Sequence, residues 1–208
     1  DCLLYIGVHD DDSIFLARHV ALKAGCKDKT IASSAQRICA SGFETMILAA
    51  NDVALGASDL IIAGGSENMT RAPLVSFNSR NGFNLGETPF SDLLWEGLLD
   101  THCCFTMGQT AENLAKKYHL SREEVDTYAF LSHTRAIDAN KNKIFKNEII
   151  PAFDIMSDET IRSFVKLEKL QTLSPVFDKK GVQTAGNSSQ LSDGAYSALV
   201  TRKDRNNS

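Results

Sequence analysis

Two kinds of apolar stretch alternate along the first seventy residues. Residues 2–8 (CLLYIGV) and 59–67 (DLIIAGGSE) are apolar with little polar alternation, which is typical of strands covered on both faces. Residues 30–38 alternate loosely and also predict a strand. Residues 14–25 and 41–55 carry apolar side chains at helical spacing, and each segment ends at or just before a glycine. This order of strands, helices and short returns predicts βαβ units and a parallel sheet.

The chain becomes more polar and richer in glycine after Pro73, and two helices follow. The sequence TMGQTAENLAKKY predicts a helix, with Gln109 or Thr110 near its start. The next helix is longer, and it opens with Ser121 and Glu124 in the spacing of a capping box. The middle of the chain is therefore predicted to be mainly helical.

The remaining segments indicate how the chain is divided. FKNEIIPAF predicts a strand that ends at a proline, and residues 195–201 predict a strand that returns to the first layer. The fold class predicted is α/β, with a helical insertion. We predict a first core segment at 1–72, the insertion at 73–180 and the return at 181–208.

Composition narrows the classes of function. The chain has 208 residues and a net charge of −4, so it lacks the basic character of a nucleic-acid-binding protein. Its apolar runs are shorter than a membrane span, so neither nucleic acid nor membrane is expected as a partner. Five cysteines, two of them adjacent, fit a reducing compartment better than a disulfide framework. No group of cysteines and histidines has zinc spacing, so no metal is expected.

Cys39 lies where a predicted strand meets a predicted helix, and Ala40, Ser41 and Gly42 follow it. The amino end of a helix stabilises a thiolate, and small residues allow a ligand to approach the backbone. Their N–H groups are also candidates for stabilising a developing oxyanion. The alternative is a buried structural cysteine at a tight junction, and these residues alone leave both interpretations open.

Three segments resemble the thiolase family, in the order in which that family has them. They are ICASGFETMILAANDVALGASDLIIAGGSENMTRAP, MGQTAENLAKKYHLSREEVDTYAFLSH and PVFDKKGVQTAGNSSQLSDGAYSALV. Ala40 replaces a commoner glycine, and Gln36 stands where the family usually has asparagine. The resemblance implies half of a layered α/β/α core, with a nucleophile elbow in 1–72 and a coenzyme A-binding loop domain in 73–180.

The resemblance also implies roles for individual residues. Cys39 matches the cysteine that thiolases acylate. Coenzyme A and acyl-CoA would be substrates, with no further cofactor. Core packing remains the alternative for Met107 and Phe177, and a solvated helix charge for Arg162. The positions that match the family's coenzyme A-binding residues are Met107, Arg162, Phe177, Ala185, Gly186 and Ser189.

The implied activity is acyl transfer between acyl-CoA thioesters, by thiolytic cleavage of 3-ketoacyl-CoA or by Claisen condensation. The motifs NEAF, GHPxG and CxGGG of the family's C-terminal half do not occur in this sequence. We therefore expect an incomplete thiolase whose C-terminal half is missing or lies on another chain. The alternative is a non-catalytic coenzyme A-binding fragment, or a partner subunit of an intact thiolase. Condensing enzymes of fatty-acid synthesis rank lower, because AGGSENM and MGQTAEN are not their motifs.

Assembly and location are expected from the resemblance and from the first residues. Thiolases imply a homodimer or homotetramer. The start, DCLLYIGVHDDD, lacks the basic region of a secretory signal, so a cytoplasmic location is predicted, with mitochondria and peroxisomes as alternatives. His102, beside Cys103 and Cys104, is interpreted as structural, and His133 is predicted to lie at the surface.

Overall fold

The computed structural model describes residues 4–6, 15–87 and 89–203. The described chain forms two compact units. One runs up to Leu94 and resumes at Leu191, and the other is Trp95–Gln190. The functional division predicted at residues 73 and 180 stays a prediction.

Eight strands and six helices are assigned among the described residues, with two short 3₁₀ turns. In chain order they are β1 (Leu4–Ile6), α1 (Leu16–Lys23), β2 (Ala32–Ser34), α2 (Ser41–Ala54), β3 (Leu60–Asn68), the turn Met69–Arg71, β4 (Leu74–Val75), the turn Ser79–Asn81, β5 (Ser91–Asp92), α3 (Leu93–Gly97), β6 (Leu99–Asp100), β7 (Phe105–Thr106), α4 (Met107–Tyr118), α5 (Arg122–Lys141), α6 (Leu167–Gln171) and β8 (Asp193–Thr201).

The first unit is built on a four-stranded sheet in the order β2-β1-β3-β8. Strand β1 runs parallel to β2 and to β3, which confirms the predicted parallel pairing. Strand β8 is antiparallel to β3 along all nine residues of β3, from the pair Leu60–Thr201 to the pair Asn68–Asp193. The sheet is therefore mixed. The first predicted strand is described only at β1, and residues 2, 3, 7 and 8 lie outside the described residues.

Small side chains allow the helices of this unit to pack closely on the sheet. Ala17 and Ala21 of α1 are buried. A second cluster joins α2 to β3, with Met46 and Val200 packed at its margin. The buried members of this second cluster are Ala49, Val53, Ile61 and Ala63.

Two capped helices organise the second unit. Ser121 and Glu124 form the predicted capping box of α5, in which the Ser121 hydroxyl accepts from the Glu124 N–H and the Glu124 carboxylate accepts from the Ser121 N–H. The helix predicted over TMGQTAENLAKKY is confirmed as α4, with Gln109 near its start. Thr106 is its N-cap, and Gln109 is the third helical residue of another capping box.

The strand predicted over FKNEIIPAF is wrong. The N–H groups of Glu148 and Ile149 donate to the carbonyl oxygen of Phe145, which makes tight turns where a strand would need an extended backbone. Phe153 adopts a left-handed backbone with φ of 55°, and Ala152 pairs only with Ile155. Local turns thus satisfy the backbone groups that a neighbouring strand would otherwise bind.

Among the described residues, no helix combines the length and the apolar character needed to cross a membrane.

Candidate functional site: an exposed cysteine and a separate pocket

Cys39 is exposed and lies in the turn between β2 and α2. Strand β2 is shorter than predicted because the chain turns before Cys39. Ile38 adopts a left-handed backbone with φ of 50°, which is uncommon for a β-branched residue. The thiol is accessible in the described chain, which argues against a buried structural cysteine.

Side chains on either side of Cys39 hold this turn. Ser41 accepts a hydrogen bond from the N–H of Arg37 at 2.8 Å, and its hydroxyl lies 2.9 Å from Gln36 Oε1. Gln36 Oε1 also accepts from the N–H of Ile38. The guanidinium of Arg37 pairs with Glu44, one turn into α2, at 2.5 Å. Gln36, where the family usually has asparagine, is therefore part of the turn's hydrogen bonding.

Two of the N–H groups next to Cys39 already have partners. The Ala40 N–H donates to the carbonyl oxygen of Arg37 at 3.1 Å, and the Ser41 N–H donates to that of Ile38 at 3.0 Å. These two groups therefore hold the turn in this structure. Helix α2 begins two residues after the cysteine, at Ser41.

The first turn of α2 is fixed to the sheet. The hydroxyl of the fully buried Thr45 lies 2.8 Å from the carbonyl oxygen of Gly42 and 3.1 Å from that of Gly64 in β3. The Tyr196 hydroxyl of β8 donates to the carbonyl oxygen of Gly42 at 2.7 Å. A Cβ placed on Gly42 would lie 3.0 Å from the Tyr196 hydroxyl oxygen. The helix therefore approaches the sheet closely where Cys39 is presented.

The second unit has a pocket of about 620 Å³ along one face of α5. Side chains of α5, among them Val125, Tyr128 and His133, form one wall, and residues 186–190 form another. The lining includes two of the predicted coenzyme A-binding residues, Gly186 and Ser189. The volume is in the range of small-molecule sites.

The other predicted binding residues do not line this pocket. Met107 is exposed, which argues against core packing as its role in this chain. Phe177 is half-buried against the first turn of α4, where a Cβ on Gly108 would lie 2.2 Å from the ring. Ala185 is exposed beside the pocket wall, and Arg162 is exposed and outside any helix.

A buried carboxylate from α4 holds the segment that leads into the pocket wall. Glu112 is 3 % exposed. Its carboxylate accepts from the N–H of Val182 at 3.0 and 3.1 Å and from the N–H of Gln183 at 2.9 Å. The Gln183 side chain donates in turn to the carbonyl oxygen of Gly108.

A second buried carboxylate reaches the same segment from α5. Asp126 is fully buried, and it accepts from Arg122 Nε at 2.6 Å and from Asn187 Nδ2 at 2.8 Å. Asn187 also accepts from the N–H of Thr184 and donates to the carbonyl oxygen of Val182. Sequence reasoning missed Glu112 and Asp126. Nothing in the local helical pattern separates them from exposed acidic residues.

The histidine predictions have different outcomes. His133 is half-buried and lies in the pocket wall, with Nε2 3.3 Å from the carbonyl oxygen of Gly186, so it is more enclosed than a fully exposed surface residue. His102 is exposed. The backbone N–H of His102 and, as a smaller effect, the thiol of Cys103 donate to the Asp100 carboxylate. These hydrogen bonds hold the pKa of Asp100 below its usual range. Among the residues that the structure describes, no three potential ligands cluster as a metal site.

Comparison with known proteins decides the family. Residues 8–204 match the family model for the thiolase N-terminal domain. The chain belongs to the thiolase family. It is 40 % identical over 202 residues to the mitochondrial 3-ketoacyl-CoA thiolase of Bos taurus. It is 39 % identical over 199 residues to a probable acetyl-CoA acyltransferase of Staphylococcus aureus. These matches cover 93 % and 91 % of this chain and 51 % of each relative, so the chain spans about half their length.

Solved structures confirm the predicted thiolase-like α/β fold. The human mitochondrial 3-ketoacyl-CoA thiolase in complex with CoA has a TM-score of 0.92 and 37 % identity, covering 99 % of this chain and 54 % of the human one. The acetyl-CoA acetyltransferase of Bacillus anthracis has a TM-score of 0.89 and 34 % identity, again covering 99 % of this chain and 54 % of that one.

Proposed function

We propose that the protein carrying this chain transfers acyl groups between acyl-CoA thioesters, through an intermediate in which Cys39 is acylated. The reaction is thiolytic cleavage of 3-ketoacyl-CoA or the reverse Claisen condensation. The observation that carries the proposal is the exposed thiol of Cys39 at the amino end of α2, in a chain of the thiolase family.

The proposed half-reaction balances without any further reagent. In cleavage, the Cys39 sulfur attacks the keto carbon (C3) of 3-ketoacyl-CoA, and a new C–S bond forms. The bond between C3 and C2 then breaks, and acetyl-CoA leaves with C2 carrying the proton that the Cys39 thiol gave up. The thiol of a second coenzyme A then takes the acyl group, and the proton returns to Cys39. Coenzyme A is a substrate here, and no metal or other cofactor enters either step.

The second unit is the proposed coenzyme A-binding part. Gly186 and Ser189 are proposed to contact the pantetheine chain, because both line the pocket on α5. The exposed Arg162 is proposed to lie near the nucleotide. Met107, Phe177 and Ala185 are proposed to complete the pantetheine contacts. The human relative was solved in complex with CoA, which supports this choice of ligand.

Assembly and compartment are proposed on the same basis. A homodimer or homotetramer is proposed from family membership. The proposed location is cytoplasmic, with mitochondria and peroxisomes as the alternatives. The relatives compared include a bacterial protein and a mitochondrial one.

The test is acylation, by acetoacetyl-CoA, of the full-length protein that carries this chain, followed by intact mass and by mapping of the modified peptide. We expect one acetyl group on Cys39, lost in Cys39→Ala. Cys103→Ala is the matched control, because Cys103 is equally exposed but does not precede a helix directly. It should acylate like the wild type.

Calorimetry with coenzyme A separates the two candidate functions. Coenzyme A binding without acylation would favour the non-catalytic binding fragment. The absence of both coenzyme A binding and Cys39 acylation would contradict the proposal.

A further inference from the structure

We propose that Glu112 and Asp126 are positioning residues, whose buried carboxylates hold residues 182–187 in the shape that forms a wall of the ligand pocket. Gly186 and Asn187 belong to both the held segment and the wall. The identity of the ligand rests on the proposed function. The hold on the segment rests on the hydrogen bonds alone.

Glu112 is suited to this role because backbone donors surround its charge. Both carboxylate oxygens accept from Val182, and one also accepts from Gln183. A Cβ on Gly181 would lie 2.3 Å from the carboxylate, so the chain approaches it more closely than any other residue would permit. The Glu112 side chain thus fixes the start of segment 182–187 to helix α4.

Asp126 provides the second fixed point from a different helix. One of its oxygens accepts from Arg122 and the other from Asn187. Arg122 also donates to the carbonyl oxygens of Leu170 and Leu173, so the ion pair is itself fixed in place. Asn187 is bound at both ends of its amide, by Asp126 and Val182 on one side and by Thr184 on the other. The far end of the segment is therefore fixed as well.

Only a carboxylate satisfies both arrangements. Each carboxylate accepts on both oxygens, so an amide of the same shape would point one N–H donor at another donor. For Asp126→Asn the amide nitrogen faces either Arg122 or Asn187. For Glu112→Gln the amide nitrogen faces the N–H of Val182. A buried donor left without an acceptor is costly, and the segment must move away to relieve it.

The consequence for the pocket follows from the chain order. Asn187 is held directly, and Ser189 is two residues further along the same wall. A shift of the held segment therefore changes the position of the wall, whereas general loosening of the unit does not do so selectively. The ligand class is the thioester and pantetheine portion of a coenzyme A compound.

The test compares Glu112→Gln and Asp126→Asn with Ser121→Ala in the full chain. Ser121→Ala removes the cap of α5, where the Ser121 hydroxyl bonds Glu124, so it destabilises the same unit without removing a hydrogen bond to residues 182–187. Two quantities are measured: hydrogen exchange of the backbone amides of residues 182–187, and the dissociation constant for coenzyme A by calorimetry. Melting temperature records the general loss of stability.

We expect both amide variants to exchange faster at residues 182–187 and to bind coenzyme A at least about tenfold more weakly. Ser121→Ala, at a similar melting temperature, should keep the exchange pattern of that segment and bind within about twofold of the wild type. Unchanged exchange at Val182 and Gln183 in both variants would overturn the inference, as would wild-type affinity in both.

Failure of the proposed function gives a different result. A wild-type chain that does not bind coenzyme A contradicts the proposed ligand and overturns this role in ligand binding, whatever the exchange pattern. A wild-type chain that binds, together with variants that bind equally well, contradicts only the role of Glu112 and Asp126.

Discussion

The hydroxyl group of Tyr196 in β8 donates a 2.7 Å hydrogen bond to the carbonyl oxygen of Gly42 in the first turn of α2. The two residues are 154 positions apart, and Gly42 lies three residues after Cys39. The last strand of the sheet therefore helps to fix the helix that presents the candidate nucleophile. The Tyr196 ring fits because Gly42 and Gly65 both lack a side chain. A Cβ on Gly42 would lie 3.1 Å from the ring, and one on Gly65 would lie 3.0 Å from it.

Gly64→Ala should destabilise the first unit. A Cβ at this position would lie 2.6 Å from the backbone carbonyl oxygen of Tyr196, and a paired strand cannot rotate that group away. We expect a loss of about 1–3 kcal/mol in the free energy of unfolding, measured by urea denaturation. Gly194→Ala on β8 is the control, because nothing lies within 4 Å of its Cβ. Equal stability of the two variants would contradict this packing.

Gly108→Ala should displace Phe177. The new Cβ would lie 2.2 Å from the ring, and an aromatic side chain packed on a helix has little room to move. We expect about 1–3 kcal/mol of destabilisation and, if Phe177 contacts the ligand, weaker coenzyme A binding in calorimetry. Gly97→Ala is the control in the same unit, since its Cβ position is open. Wild-type stability of Gly108→Ala would be inconsistent with the contact.

Replacing two threonines at the start of α4, the N-cap Thr106 and the helical residue Thr110, should change the stability of the protein in opposite directions. Thr106→Ala removes the N-cap and should cost about 1 kcal/mol of stability. Thr110→Val should stabilise by about 1 kcal/mol, because the Thr110 hydroxyl is buried without a hydrogen-bond partner among the described residues. Thermal denaturation of the pair provides the comparison. A lower melting temperature for Thr110→Val would show that the hydroxyl does have a partner.

Asp193 should titrate at an abnormally acidic pH. The Thr70 hydroxyl and then the Thr70 N–H donate to its carboxylate, which lowers the pKa of Asp193 from the ordinary value of 3.8. Its contribution to stability is therefore present above the ordinary pKa, and it is lost as the pH falls through the lowered one. Carbon NMR titration should show the pKa rising towards 3.8 in Thr70→Val. Thr160→Val, which removes the same kind of bond from Asp158, should leave Asp193 unchanged.

The sequence predicted those elements whose signal is local. The apolar run of β3 and the alanine-rich pattern of α2 were sufficient, as was the spacing of Ser121 and Glu124. The cap of α4 at Thr106 had the same type of signal, a threonine three residues before a glutamine, and it was overlooked. FKNEIIPAF has strand-forming residues but folds into turns, because its backbone groups bind one another.

The candidate site was predictable only in part. Cys39 and the TAGN segment carry family motifs, so sequence was enough to select them. Glu112 and Asp126 become significant only through partners about seventy and sixty positions away, at Val182 and Asn187. The spacing of apolar residues along a helix carries no information about contacts with such distant residues. Burial of a charge depends on which distant donors the fold brings to it, and that information lies outside the local pattern.

The antiparallel pairing of β3 and β8 also determines how the intervening sequence can vary. The chain leaves β3 at Asn68 and returns at Asp193, its direct register partner, so the two ends of this long excursion are neighbours in the sheet. The entropy lost in closing such a loop grows only with the logarithm of its length, and doubling the length costs about 0.6 kcal/mol. Insertions and deletions between β3 and β8 therefore change the free energy of forming the sheet only slightly. The sheet can keep the Cys39 turn unchanged while the sequence between its last two strands lengthens or shortens.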